Sequence, residues 1–124
     1  MTEQPPPPPY RKGLHILCEA FTDKPDALLN HADTKAHWAR WIAELELESV
    51  GEVFHDFPGG GFTGVVCLTE SHMSIHTWPE YNYLTFDVFL SNYRKNNDAK
   101  GEQLLGETLR MLGVTTFNIT KAYR

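Results

Sequence analysis

The chain has 124 residues, with 11 Lys and Arg against 16 Asp and Glu, a formal net charge of −5. That length suits one domain and leaves little room for two independent cores. The acidic balance argues against nucleic acid as a partner, and no apolar run is long enough to span a bilayer.

Cys18 and Cys67 form no CxxC and no regular framework, which fits a reduced, cytoplasmic protein better than a disulfide scaffold. Residues 1–10, with the Pro5–Pro9 run, read as a stiff but unstructured leader. Residues 11–124 then form the single domain.

A first strand is expected over 13–21. Asp23, Pro25 and Asp26 break that pattern. Residues 33–48 place Trp38, Trp41, Ile42 and Leu45 close to helical spacing, with Asp33 or Thr34 as cap. Gly51 follows, then a short strand over 52–57. Pro58-Gly59-Gly60-Gly61 is a loop signal. It lacks the Lys-Ser/Thr ending of a phosphate-binding loop. Strands are expected over 62–69, 73–78 and 83–90, with a turn at 79–82. Asp98 is expected to cap a second helix whose apolar face is Leu104, Leu105, Leu109 and Leu112. Gly113 stops it, and a last strand runs over 114–120. The order β-α-β-β-β-β-α-β predicts an α+β fold: a two-layer sandwich, one antiparallel sheet with both helices on one face. The other face must be covered or meet a partner.

Residues 69–80 carry the chemistry. A serine following Glu70 can attack the carbonyl of the peptide bond before it. Elimination of the resulting ester leaves an N-terminal pyruvoyl group, an electrophile the chain makes for itself. An amine substrate forms a Schiff base with such a carbonyl, which then accepts the electrons released as carbon dioxide leaves. His72 and His76 share a strand face. With no third ligand at suitable spacing, no metal site is expected. His15, His31, His37 and His55 read as surface or hydrogen-bonded histidines. Glu44, Glu46 and Glu48 read as a solvated face.

Glu70-Ser71-His72 followed by Ile75-His76-Thr77-Trp78-Pro79-Glu80 resembles the short prokaryotic, pyruvoyl-dependent S-adenosylmethionine decarboxylase proenzymes. The similarity is densest from Phe54 to Phe89 and continues more weakly through Lys12-Gly13-Leu14-His15 and the closing helix and strand. The resemblance implies autocatalytic cleavage between Glu70 and Ser71, with Ser71 as nucleophile and source of the pyruvoyl cofactor. It implies His76 as the base in the elimination step and Thr63 where the family often has a processing serine. It places Phe57 against adenine and Glu80 on the ribose hydroxyls, with Trp78 supporting that wall. It also implies a homodimer with sites at or near the subunit contact, a small amino-acid-type substrate, and a product that donates aminopropyl groups for spermidine.

One position departs from the pattern. After Asp87-Val88-Phe89 the family usually reads Thr-Cys-Gly, and that cysteine donates a proton to the decarboxylated intermediate. Here Leu90-Ser91-Asn92 stands instead, and an alcohol is a far weaker acid than a thiol. Two alternatives follow. One is arginine or ornithine as substrate, with Asp56 facing the distal cation. The other is a regulatory homologue that does not process.

Overall fold

The computed structural model describes residues 4–93 and 95–124; the first three residues of the expected leader lie outside them. Six strands form one antiparallel sheet: β1 (Leu14–Thr22), β2 (Ser49–Asp56), β3 (Phe62–Leu68), β4 (Ser71–Trp78), β5 (Tyr83–Leu90) and β6 (Val114–Tyr123). Their order across the sheet is β2-β3-β4-β5-β1-β6. Helices α1 (Ala32–Glu44) and α2 (Asp98–Met111) pack on one face, as the sequence predicts. Single 3₁₀ turns at Pro25–Leu28 and Pro79–Tyr81 begin at the prolines, whose fixed φ suits a first helical position.

Strand alternation sets the two faces. Leu14, Ile16, Cys18 and Ala20 of β1 point toward the helices, as do Met73 and Ile75 of β4 and Leu84, Phe86, Val88 and Leu90 of β5. Thr34, Trp38 and Ile42, four apart on α1, meet Leu104, Leu105, Thr108 and Leu109 of α2 in the same core. Trp38 Nε1 donates to Thr108 Oγ1 at 3.0 Å, so the buried indole is not left unpaired.

The opposite face carries His15, Leu17, Glu19 and Phe21 of β1, Tyr83, Thr85, Asp87 and Phe89 of β5, and His72, Ser74, His76 and Trp78 of β4. No helix covers it. Leu17, Phe21, Val53, Val65 and Trp78 stand exposed there.

Several boundaries differ from expectation, each for a tertiary reason. α1 begins after His31 rather than at Asp33 or Thr34, because Asp56 of β2 accepts hydrogen bonds from His31 N and Nδ1, both 2.9 Å. Thr34 is instead buried in the helix. The helix ends at Glu44, well before Gly51. Glu46 takes a left-handed φ of 58°, and Leu47 N donates back to the Ile42 carbonyl. α2 is capped at Asn97, not Asp98, and the Asn97 side chain makes no capping bond. A forgone cap of this kind costs about 1 kcal/mol. β4 begins at Ser71 rather than Met73, since Ser71 pairs with both Leu68 and Leu90.

Candidate active site

The predicted residues fall into two groups at opposite ends of β4. Glu70, Ser71 and Ser91 occupy one end. Thr63, His76, Trp78, Glu80 and Phe57 occupy the other.

At the first end, a two-residue connection joins Leu68 to Ser71. Ser71 itself has φ of 138°, a region that L residues rarely occupy and that costs on the order of 1–3 kcal/mol. The consequence is stereochemical. Around the N–Cα bond, Cβ lies about 120° from the backbone carbonyl carbon. A φ of 138° therefore brings Cβ to within about 20° of eclipsing the Glu70 carbonyl carbon. At the φ of an ordinary strand, near −120°, Cβ points well away from that carbon. Ser71 thus holds a backbone conformation from which its Oγ can close a five-membered ring onto the preceding carbonyl.

The carbonyl has a partner. Ser91 N–H donates to Glu70 O at 2.7 Å. This donor faces the oxygen on which negative charge develops when the carbon is attacked. The departure at position 91 leaves the contact intact, because the backbone makes it. The Glu70 carboxylate is held as well, by Lys95 Nζ at 3.0 Å and by Asn97 Nδ2. Neither Lys95 nor Asn97 was picked out from the sequence. Asn97 falls at the expected opening of the second helix, just before Asp98.

At the second end, Thr63 Oγ1 and His76 Nδ1 share a 2.6 Å hydrogen bond. They are cross-strand partners of β3 and β4 on the open face. Beside them lies a cavity of about 390 Å³ lined by Phe57, Pro58, Gly60, His76, Trp78 and Glu80, among others. So the three residues expected to bind substrate do converge on one space with the expected base. Sequence reasoning missed Tyr83, whose ring packs 5.5 Å from Trp78, and His55, which meets Phe57 edge-on at 5.0 Å. The glycine run fixes this wall: Gly59, Gly60 and Gly61 have φ of 89°, 110° and 101°. Phe57 N donates to Gly61 O, and Gly61 N to Leu29 O. Side chains there would be strained.

Asp56, the residue weighed for a distal substrate cation, is exposed and engaged through Oδ1. It accepts from His31, and that hydrogen bond holds its carboxyl below the usual range.

His72 does gain neighbours that the sequence did not reveal. Among the described residues, His15, His72 and Asp87 bring one ligand atom each within 4.8 Å of one another. His76 is not among them. Asp87 Oδ2 already accepts from His15 Nε2 at 2.9 Å and from His72 Nε2 at 3.3 Å, and Oδ1 from Ser74. The group is therefore a satisfied hydrogen-bond network across three strands. Burial pushes the Asp87 carboxyl up, but the bonds from Ser74 and His15 and the charges of both imidazoles outweigh it and leave it below the ordinary range. A depressed carboxyl stabilises the fold above its unfolded pKa and loses that contribution as pH falls through the folded value. Asp87→Asn is thus expected to lower Tm at pH 7. The gap to wild type should narrow below about pH 4, as thermal melts across pH will show.

Cys18 does not take the place of the missing cysteine at 91. Cys18 is buried on the helix-covered face, and burial, then Glu19, pushes its thiol up to about 11. Cys67 lies opposite His72 on the open face.

A short α+β domain with a serine poised against its own preceding peptide bond, and a separate aromatic and carboxylate pocket, defines a self-processing class of protein. Residues 14–124 match the family model described as S-adenosylmethionine decarboxylase, and the chain belongs to that family. It is 36% identical to the S-adenosylmethionine decarboxylase proenzyme of Clostridium tetani, over 88% of this chain and 86% of that protein. It is also 36% identical to the proenzyme of Archaeoglobus fulgidus, over 62% of this chain and 69% of that one. The crystal structure of the adenosylmethionine decarboxylase of Aquifex aeolicus VF5 superimposes with a TM-score of 0.82 at 26% identity. It covers 93% of this chain and 92% of that one.

Proposed function

We propose that this chain is a self-processing decarboxylase of S-adenosylmethionine, a carboxy-lyase feeding spermidine synthesis. The observation that carries the processing step is the φ of Ser71, which brings its Cβ close to eclipsing the Glu70 carbonyl carbon. In that step Ser71 Oγ bonds to the Glu70 carbonyl carbon and the amide C–N bond breaks, giving an ester and a free amine. Ser91 N–H supports the oxyanion on the way. Removal of the Ser71 α-proton then expels the Glu70 carboxylate, and hydrolysis releases ammonia to leave the pyruvoyl group on the second fragment. That group supplies a carbonyl to take up the substrate amine and a sink for the electrons released with carbon dioxide.

The residues around it have separate tasks. Phe57 and Trp78 give flat apolar walls for adenine, and Glu80 can accept from two adjacent hydroxyls. His76, oriented by Thr63, moves the proton in the elimination.

This division of labour needs two copies of the chain. Ser71 and His76 are five positions apart on one strand, about 16 Å at the usual rise. No rotamer bridges that span. A two-fold axis on the open face would run β4 of one protomer against the partner's and bring each Ser71 to the other's His76. The exposed Leu17, Phe21, Val65 and Trp78 on that face suit such a contact. We therefore propose a homodimer with two composite sites. Free Cys18 and Cys67 support a cytoplasmic location, and no helix among the described residues is long and apolar enough to cross a membrane.

Release of labelled carbon dioxide from carboxyl-labelled S-adenosylmethionine, arginine and ornithine tests the substrate. Only the first is expected to react, since Phe57, Trp78 and Glu80 line one pocket suited to adenine and ribose. Turnover of arginine or ornithine alone would overturn this reading. Ser91→Cys restores a thiol at the family's proton-donor position and is expected to raise kcat roughly tenfold or more.

A further inference from the structure

We infer that Asn97 is a positioning residue for the cut between Glu70 and Ser71, tying the scissile carbonyl and its hydrogen-bond donor into one frame. The inference rests on the self-cleavage reading above. One carboxamide spans both sides of the contact: Asn97 Nδ2 donates to the Glu70 carboxylate and, at 2.8 Å, to the Ser91 carbonyl. Between those two anchors runs the bond from Ser91 N–H to Glu70 O. Displacing either residue displaces the donor from the oxygen it must stabilise, and small errors in such geometry are costly to rate.

The local structure has given up other uses of this side chain. Asn97 is the N-cap of α2, yet it makes no capping bond. It is 0% exposed, and its buried Oδ1 has no partner among the described residues. Rotating the amide by half a turn would aim that oxygen at the Glu70 carboxylate, so the orientation is fixed by charge. Asn92 locks the backbone beneath it. Asn92 Oδ1 accepts from Asn97 N at 2.7 Å, while Nδ2 donates to Lys12 O and Asp98 Oδ1. Lys95, on the other carboxylate oxygen, is half exposed and solvent-screened. Asn97 reaches its partner from 27 residues away, at the start of α2. The frame is therefore complete only when α2 has docked, which makes cleavage wait for folding.

The test follows uncut chain by mass after refolding of wild type, Asn97→Asp, Asn97→Leu and Leu109→Ala. Leu109→Ala truncates the α2 core away from Glu70 and controls for lost stability. Both Asn97 variants are expected to cleave at least about tenfold more slowly, and Leu109→Ala within about threefold of wild type at equal or greater loss of Tm. Hydroxylamine, which cuts esters, should not accelerate the Asn97 variants, because their block precedes the ester. Cleavage of both at the wild-type rate, or slowing no greater than in Leu109→Ala, overturns the inference. Wild type that never cleaves removes the self-cleavage reading and this inference with it. Cleaving variants beside a cleaving wild type remove only the role of Asn97.

Discussion

Ser71→Ala is expected to give a single uncut chain of 124 residues, where wild type gives fragments 1–70 and 71–124. Intact mass under denaturing conditions reads this directly. The second wild-type fragment should also be blocked to Edman sequencing, since pyruvoyl has no free amine. The substitution removes only the Oγ and keeps Cβ, so the positive φ and the Ser91–Glu70 bond should persist. Loss of the cut is expected to be complete, because no neighbouring hydroxyl shares the near-eclipsed geometry that Ser71 has within its own residue. Cleavage of Ser71→Ala at the same place would refute the nucleophile assignment. An uncut wild type would favour a homologue that does not process.

His76→Ala is expected to arrest processing after the acyl shift, slowing elimination by about 10² to 10⁴ and leaving an ester that hydroxylamine cuts. The stronger test mixes it with Ser71→Ala. In a composite site, a His76→Ala chain contributes an intact Ser71, and a Ser71→Ala partner contributes an intact His76. Co-refolded mixtures should then cut the His76→Ala chain while leaving the Ser71→Ala chain whole. Neither variant should be cut when refolded alone. A His76→Ala chain that stays arrested in verified mixed dimers would mean that His76 acts within its own subunit or not on this step.

Most of the fold was legible because its signals are local and periodic. Leu104, Leu105 and Leu109 mark the α2 face, and Gly113, with φ of 66°, stops that helix where a left-handed residue is needed. The alternation in β1, β4 and β5 gave the two faces. What was hidden came from contacts distant in sequence. His31 opens α1 because Asp56, 25 residues on, receives it. His15 and Asp87 join His72 only once β1, β4 and β5 lie side by side. In the candidate site, the motif proposes the residues, but not how they are distributed in space. A linear segment holding Ser71 and His76 five residues apart reads as one cluster, whereas a strand makes it two. Asn97 was invisible for a different reason: an asparagine at a helix start has an ordinary use, and only the structure shows that use declined.

The strand order has a consequence for the life history of the protein. A cut between Glu70 and Ser71 divides β1, β2 and β3 from β4, β5 and β6, yet the sheet runs β2-β3-β4-β5-β1-β6. The amino-terminal piece keeps β1 inserted between two strands of the other piece, and β3 zipped to β4. A molecule cut there would be a woven pair of chains with three cross-chain seams. The precursor folds as one chain, at a rate independent of concentration. Once unfolded, the mature form must find its other half by collision. Recovery of its folded subunits should fall on dilution, while refolding of the uncut Ser71→Ala subunit should not. Activation is then a one-way passage, from a molecule that can rebuild itself to one that must be replaced.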